Sequence, residues 1–403
     1  MKRKFSTRLS KTILRSITAL LFVASPAVLA QSNLNQVIEQ NAEAFSYQDG
    51  KFSGKGWNTI LEAVKSHQAT LIGEDHFYNE IPAFTSALAA KIKFDSYFCE
   101  IDPYSAEAIA YHLQEDSDDA LQHYLDNYGS TFSFYALAPE FALLQQLSKD
   151  GTQLYGTDQI VLTADRLMAA QLSEITSHDK AKAIYQDIME QSSLHFSRFT
   201  KGEGAPYFFT PQFESQLAEL QGLLLSQREH KIISDLMLSR TIYLTQDHHL
   251  RIQLMKHNVM GQLHAILQGK SLFKYGAIHT NKAESVLGGY DIGNLVANIM
   301  DSEFKSSLHI MIIGMSGSQG VPFDGMPIGA VDPTSKDLKH YQPFFEQVND
   351  ENWVLFDLNP IRAAMAKGKI EIDNDVLRKT VNGHDYLIVI PEVTAAPFIN
   401  TKE

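Results

Sequence analysis

The sequence predicts an α/β protein: an open, mostly parallel sheet flanked by helices, with a helical insertion. Three observations carry this. Seven apolar runs of three to seven residues are mostly bounded by Gly, Asp or Asn, the profile of strands buried on both faces. Helical stretches separate most of these runs, the alternation that crossover connections require. The alternation then stops over residues 164–268, where only helical periodicity is found. A composition of 44% hydrophobic and 20% charged residues over 403 positions belongs to a folded chain rather than a disordered one.

The chain opens with Lys2, Arg3, Lys4, Arg8, Lys11 and Arg15 and no acid within residues 1–15. An apolar run from Ile17 to Val28 follows, and Val28-Leu29-Ala30 supplies the small residues of a signal-peptidase site. Residues 1–30 therefore read as a cleaved export signal, which predicts a periplasmic or secreted protein. The run is too short to remain as a stable membrane anchor. The segment to about Gly56 is polar and predicted to be loose, and Trp57 to Ser66 has helical spacing. The seven predicted strands are Ala69–Ile72, Tyr97–Cys99, Gln153–Tyr155, Leu272–Ile278, Leu308–Ile313, Trp353–Leu358 and Tyr386–Ile390. Helices are expected over Ile81–Ile92 and Ala106–Leu113. The α/β domain thus comprises residues 31–163 and 269–403, with residues 164–268 as the insertion. Within the insertion, residues 197–211 carry four aromatics, Gly202, Gly204 and Pro206, and read as a loop. Gly314 to Pro333 is rich in Gly and Pro and is expected to loop over one sheet end.

Charge and cysteine content narrow the function. The chain has 34 basic and 47 acidic residues, a net charge of −13, which argues against nucleic acid as a partner. The single cysteine, Cys99, permits no intramolecular disulfide and no Cys-based zinc or iron–sulfur site. A small-molecule substrate is the expected partner.

Ligands of open parallel sheets bind beyond the carboxyl ends of the strands. The first strand runs into Gly73-Glu74-Asp75-His76, the second into Glu100-Ile101-Asp102, the third into Gly156-Thr157-Asp158 and the fourth into Ala277-Ile278-His279. Crowding acids at one edge costs solvation and invites repulsion, so four such endings point to a site. Glu74, His76, Glu100 and His279 are the catalytic candidates; Glu80, Asp102 and Asp158 are candidates for substrate binding. Some have a structural alternative. Asp75 can cap the helix near Ile81, Asp102 precedes Pro103 as an N-cap would, Asp158 can cap the next helix, and Glu80 suits a helix start. Cys99 should face the core. His248 and His249 point about 100° apart on a helix and are poor joint ligands. Ser316, Asp357 and His384 follow the chain order of an α/β-hydrolase triad, but position 318 is Ser rather than the elbow glycine.

Gly73-Glu74-Asp75-His76, then Glu80, then Phe98-Cys99-Glu100 resembles the start of the erythromycin esterase-like family. Arg251 to Asn258 is similar to the Arg…Met-x-x-Asn helix of that family. Lys274 to His279, with Asp291-Ile292-Gly293-Asn294 beyond it, looks like its late His-bearing strand. The resemblance spans roughly residues 57–300 with long gaps. It adds Arg251 to the substrate-binding candidates and implies hydrolysis of an ester, lactone or amide. A histidine can take a proton from water while a carboxylate holds its other ring nitrogen. His76 is assigned as that base, oriented by Glu74 or Glu100, and His279 as the second acid–base group or oxyanion stabiliser; the reversed assignment fits nearly as well. One residue separates Glu74 from His76, where the esterase pattern has two. A Gly-Glu-x-His start looks more like ChaN-like haem-binding and Tiki-type proteins. That similarity implies an alternative: a periplasmic haem- or metal-binding protein of the ChaN-like type, with His76, His279 or Tyr78 as axial ligand. The residues themselves also suit a divalent metal such as zinc or manganese, two histidines and two or three carboxylates serving as ligands in metal-assisted hydrolysis. No cofactor is firmly implied.

Overall fold

In the computed structural model, which describes residues 26–349 and 351–399, every predicted apolar run forms a strand. The strands are β1 (Ala42–Gln48), β2 (Lys51–Gly54), β3 (Ala69–Glu74), β4 (Ser96–Cys99), β5 (Gln153–Gly156), β6 (Ser271–Gly276), β7 (Ser307–Gln319), β8 (Gly329–Val331), β9 (Trp353–Asp357) and β10 (Tyr386–Val393). They form one sheet in the order β2-β1-β9-β10-β7-β3-β6-β4-β5, with β8 on β7. The run from β10 to β5 is parallel, and β9, β1 and β2 continue it antiparallel. Most of the export signal expected over residues 1–30 lies outside the described residues; the helix Pro26–Gln40 follows residue 25. Among the described residues no helix is long and apolar enough to cross a membrane.

Two stretches differ from expectation. The segment before Gly56 is not loose: β1 and β2 form a hairpin closed by Asp49-Gly50, both at positive φ (50° and 73°), as a two-residue hairpin turn requires. Phe45 and Phe52 point inward and join Trp57, Phe84 and Trp353 in an aromatic cluster. Burying these large rings holds the otherwise polar hairpin to the sheet. The expected loop after Gly314 is also partly strand. β7 continues to Gln319 because β10 runs beside it to Val393 and β8 pairs with its last residues.

Between β5 and β6 the described chain contains no strand. Its long helices are Asp165–Ile175, Asp179–Phe199, Pro211–Gln221, Gln227–Thr245 and His248–Gly261. Side chains close their starts: Ser226 and Glu229 make a reciprocal capping box, and the Thr210 hydroxyl accepts from Phe213 N–H. Leu167, Tyr185, Phe208 and Ile232 from these helices share a core with Ile72 and Tyr97 of the sheet. Tyr207 and Phe208, which could have lined an entrance, are buried in it.

Candidate active site

β3, β6, β4 and β5 are neighbours in the sheet, so their carboxyl ends lie side by side. This adjacency brings together residues up to 205 positions apart in sequence (Glu74 and His279). Glu74 ends β3 and is buried. Its Oε1 is 2.9 Å from His76 Nδ1, and its Oε2 accepts from Lys274 Nζ at 2.6 Å. The same Lys274 Nζ reaches Glu140 Oε1 at 2.6 Å. Burial alone would raise the Glu74 pKa, but Lys274 and His76 outweigh it and hold the carboxyl below its ordinary value. Burial pushes Glu140 up to about 7, so this acid is poised to share a proton where Glu74 stays charged. Burial would lower the Lys274 pKa; the two glutamates more than reverse that and keep the ammonium charged.

His76 lies in the turn after β3, with 23% of its side chain exposed. Its ring stacks on Phe134 at 4.1 Å between centroids. Nε2 stands 3.6 Å from Glu100 Oε2, beyond hydrogen-bonding distance. Burial would lower its pKa, but Glu100 and Glu74 together raise it. The turn is gripped from outside. Gln319 Nε2 donates to the His76 carbonyl, and Gly320 and Ala396 N–H groups donate to the Phe77 carbonyl. Phe77 itself sits at φ 74°, an unfavourable region for an aromatic residue that these bonds hold in place.

Glu100 follows β4. Its Oε2 accepts from Gly276 N–H at 2.6 Å and its Oε1 from Arg251 Nη2 at 2.7 Å, with His279 Nε2 3.4 Å away. Burial works to raise its pKa; His279, His76 and Arg251 drive it well below the usual carboxylate range. Gly276 has to be small, because a Cβ there would lie 2.7 Å from His76 Nε2. Arg251 binds Asp158 through two bonds, Nε to Oδ1 at 3.0 Å and Nη2 to Oδ2 at 2.6 Å, while holding Glu100. His279, 1% exposed, donates from Nδ1 to Asp291 Oδ2 at 2.8 Å. Burial would lower its pKa, but Glu100 and Asp291 lift it to about 9. At neutral pH His279 is therefore an imidazolium with Nδ1 as donor.

Glu74, His76, Glu100, His279, Arg251 and Asp158 thus form one connected cluster. Asp102 lines the adjoining cavity, but its carboxylate caps the helix Pro103–Glu115, accepting from Tyr104 N–H, Ser105 N–H and Ser105 Oγ. Burial raises its pKa to about 6. Glu80 makes no contact with the cluster: its carboxylate holds Thr394 N–H and Oγ1. Asp75 is not the cap of the helix Glu80–Ala89, which begins after Asn79 without a side-chain cap. Asp158 binds Arg251 and the neighbouring Gln159 N–H rather than capping a helix. Cys99 is buried and its thiol pushed up to about 12 by burial. Ser316, Asp357 and His384 are engaged separately: Ser316 Oγ donates to the Pro391 carbonyl, Asp357 caps the helix Leu358–Ala366, and His384 pairs with Thr280 and Thr380.

No family model matches this chain, and no curated protein matches its sequence. Solved structures do match in shape. A histidine-to-asparagine variant of erythromycin esterase EreC, in its open conformation, superposes with a TM-score of 0.57 at 15% identity, over 89% of this chain and 99% of that one. The chain has the erythromycin esterase fold. A succinoglycan biosynthesis protein matches with a TM-score of 0.57 at 13% identity, over 93% of this chain and 100% of the other. A Bacillus cereus protein matches at 0.52 and 12%, over 92% and 99%. At these identities the likeness is one of architecture.

Sequence reading missed Lys274, Glu140, Phe134 and the position of His248. Lys274 did carry a signal, since a charge inside a strand buried on both faces needs a partner. Glu140 carried none. His248, His279 and Asp291 bring one donor atom each within 4.8 Å of one another. His279 Nδ1 is already bonded to Asp291, and the Arg251 guanidinium, with Nη1 3.4 Å from His279 Nε2, places a positive charge beside that point.

Proposed function

We propose that the chain is an exported hydrolase of ester, lactone or amide bonds in a small molecule, with His76 as general base toward water. One observation carries the reading. His76 is the part-exposed histidine of the cluster, its Nδ1 is held by Glu74, and its Nε2 has no hydrogen-bond partner among the described residues. Nδ1–H donating to Glu74 leaves the Nε2 lone pair for a water proton. Lys274 positions Glu74 by holding its other oxygen. His279 acts as a fixed positive charge, with Arg251, near the oxygen that becomes negative as water adds. Export rests on the basic and apolar pattern of residues 1–30. The cavity beside the cluster, about 200 Å³ and lined by Glu100, Phe134, Asp158 and Arg251, is below the range of drug-sized pockets.

The test is hydrolysis of aryl esters, lactones and anilides by the purified chain, with and without a chelator, beside His76→Ala. Turnover that survives chelation and falls in the variant is the expected result. Near-normal turnover in His76→Ala would overturn the assignment. Loss of turnover to the chelator would overturn the metal-free mechanism.

A further inference from the structure

A second cavity lies beyond the segment of residues 129–136. Thr131 to Phe134 line the smaller cavity beside Glu100 and Arg251, whereas Gly129, Ser130 and Ala136 line this one, which measures about 530 Å³. That size is within the range of small-molecule pockets. Its notable wall residue is Arg166, 7% exposed, in the first turn of the helix Asp165–Ile175. Nη2 donates to Ser130 Oγ at 2.5 Å, and the guanidinium lies over the Phe196 ring at 4.6 Å. Nη1 is buried without a hydrogen-bond partner. Among the described residues no carboxylate forms an ion pair with this guanidinium. The neighbouring Asp165 uses Oδ1 for Ser192 Oγ and the Arg166 backbone N–H instead. Burial lowers the Arg166 pKa, the sign of a cation short of compensation.

Asp165 and Tyr128 favour the Arg166 charge but do not offset its burial, and a buried arginine that no carboxylate meets in an ion pair is costly unless a ligand supplies one. The rest of the wall says what kind. Phe196, Phe323 and Phe398 offer apolar and aromatic surface. An exposed acid, Asp324, also lines the cavity and opposes a doubly charged ligand. We propose that this cavity binds a small monocarboxylate with an aromatic or apolar body, its carboxylate on Arg166 and Ser130 and its body against the three phenylalanines. A planar guanidinium suits a carboxylate, and the hydroxyl of Ser130 is free to donate while it accepts from Arg166. The site is separate from the His76 cluster and needs no turnover to be observed.

The test is calorimetric titration of the full chain with hydrocinnamate, beside its neutral amide hydrocinnamide and phenyl phosphate. Saturable binding of hydrocinnamate is expected, with the amide and phenyl phosphate each weaker by about tenfold or more. Arg166→Gln should weaken hydrocinnamate about tenfold, and Phe323→Ala, on the loop after β7, about threefold. His76→Ala should bind as the unaltered chain does. Equal binding of acid and amide, tighter binding of phenyl phosphate, or no saturation by about 10 mM, an affinity at the weakest end of specific recognition, would overturn the proposal. So would binding lost in His76→Ala, which would place the probe at the His76 cluster. The acid–amide comparison stands even if Arg166→Gln fails to fold.

Discussion

His76 and His279 flank the same carboxylate, Glu100, and the protein treats them in opposite ways. His279 is sealed between Glu100 and Asp291, which lift its pKa to about 9. His76 keeps part of its ring exposed, holds one carboxylate through Nδ1 and faces Glu100 only at 3.6 Å. Both are raised above the ordinary value, but only His76 has a nitrogen open to exchange a proton with a bound water. Two histidines at one sheet edge are thereby held differently: burial and paired acids lock the proton on one, and solvent reaches the ring of the other, which is the base of the proposed reaction.

The comparison breaks most sharply in activity. His76→Ala should lower kcat/KM about 10³-fold, the scale of a lost general base, measured on whichever ester is turned over. Equal loss from substituting either histidine with no difference in pH profile would erase the distinction. The sealed histidine should appear in stability instead. Its folded pKa, about 9, exceeds its unfolded value of 6.5. Its stabilisation is therefore fully present below pH 6.5 and is lost as pH rises through 9, a swing of about 3 kcal/mol. Urea unfolding across that interval should show a steeper decline in the unaltered chain than in His279→Gln. Lys274→Met tests the support of the open histidine. It leaves Glu74 and Glu140 facing each other without a cation, and should destabilise by about 3 kcal/mol, with proton uptake by Glu140 keeping it at the low end for a broken buried pair. Urea midpoints check this. Asp102→Ala removes a helix cap and should cost about 1 kcal/mol while leaving turnover within about threefold, because the carboxylate serves the backbone. Glu80→Ala should be the mildest, within about 0.5 kcal/mol and with turnover unchanged.

The sheet was legible because a strand buried on both faces must be apolar along its length, and Leu71-Ile72, Leu308 to Ile313 and Tyr386 to Ile390 are. The β1–β2 hairpin was not, since only Phe45 and Phe52 are buried in it and the rest is small, polar or, like Tyr47, half-buried. Asp49-Gly50 was the signal available there. The expected loop after Gly314 failed for a different reason. Glycines read as breaks, but Gly317 pairs with both Val393 and Val331, and pairing partners 76 and 14 residues away leave no local trace. In the site, the residues at strand ends were legible because the sheet itself delivers them. Lys274 was marked only as a charge within an apolar strand, and its partner Glu140 not at all, because a buried ion pair 134 residues apart is written in no local pattern.

The central claim is that His76 gives up its Nε2 proton before the sealed His279, whose pKa is lifted to about 9. Side-chain nitrogen NMR of the ring-labelled protein from pH 5 to 10, assigned with His76→Gln and His279→Gln, reads it directly and needs no substrate. The account predicts that as pH rises His76 loses its Nε2 proton first and keeps the one on Nδ1, while His279 is still a cation. A neutral His279 beside a charged His76 at any pH in that range would contradict it.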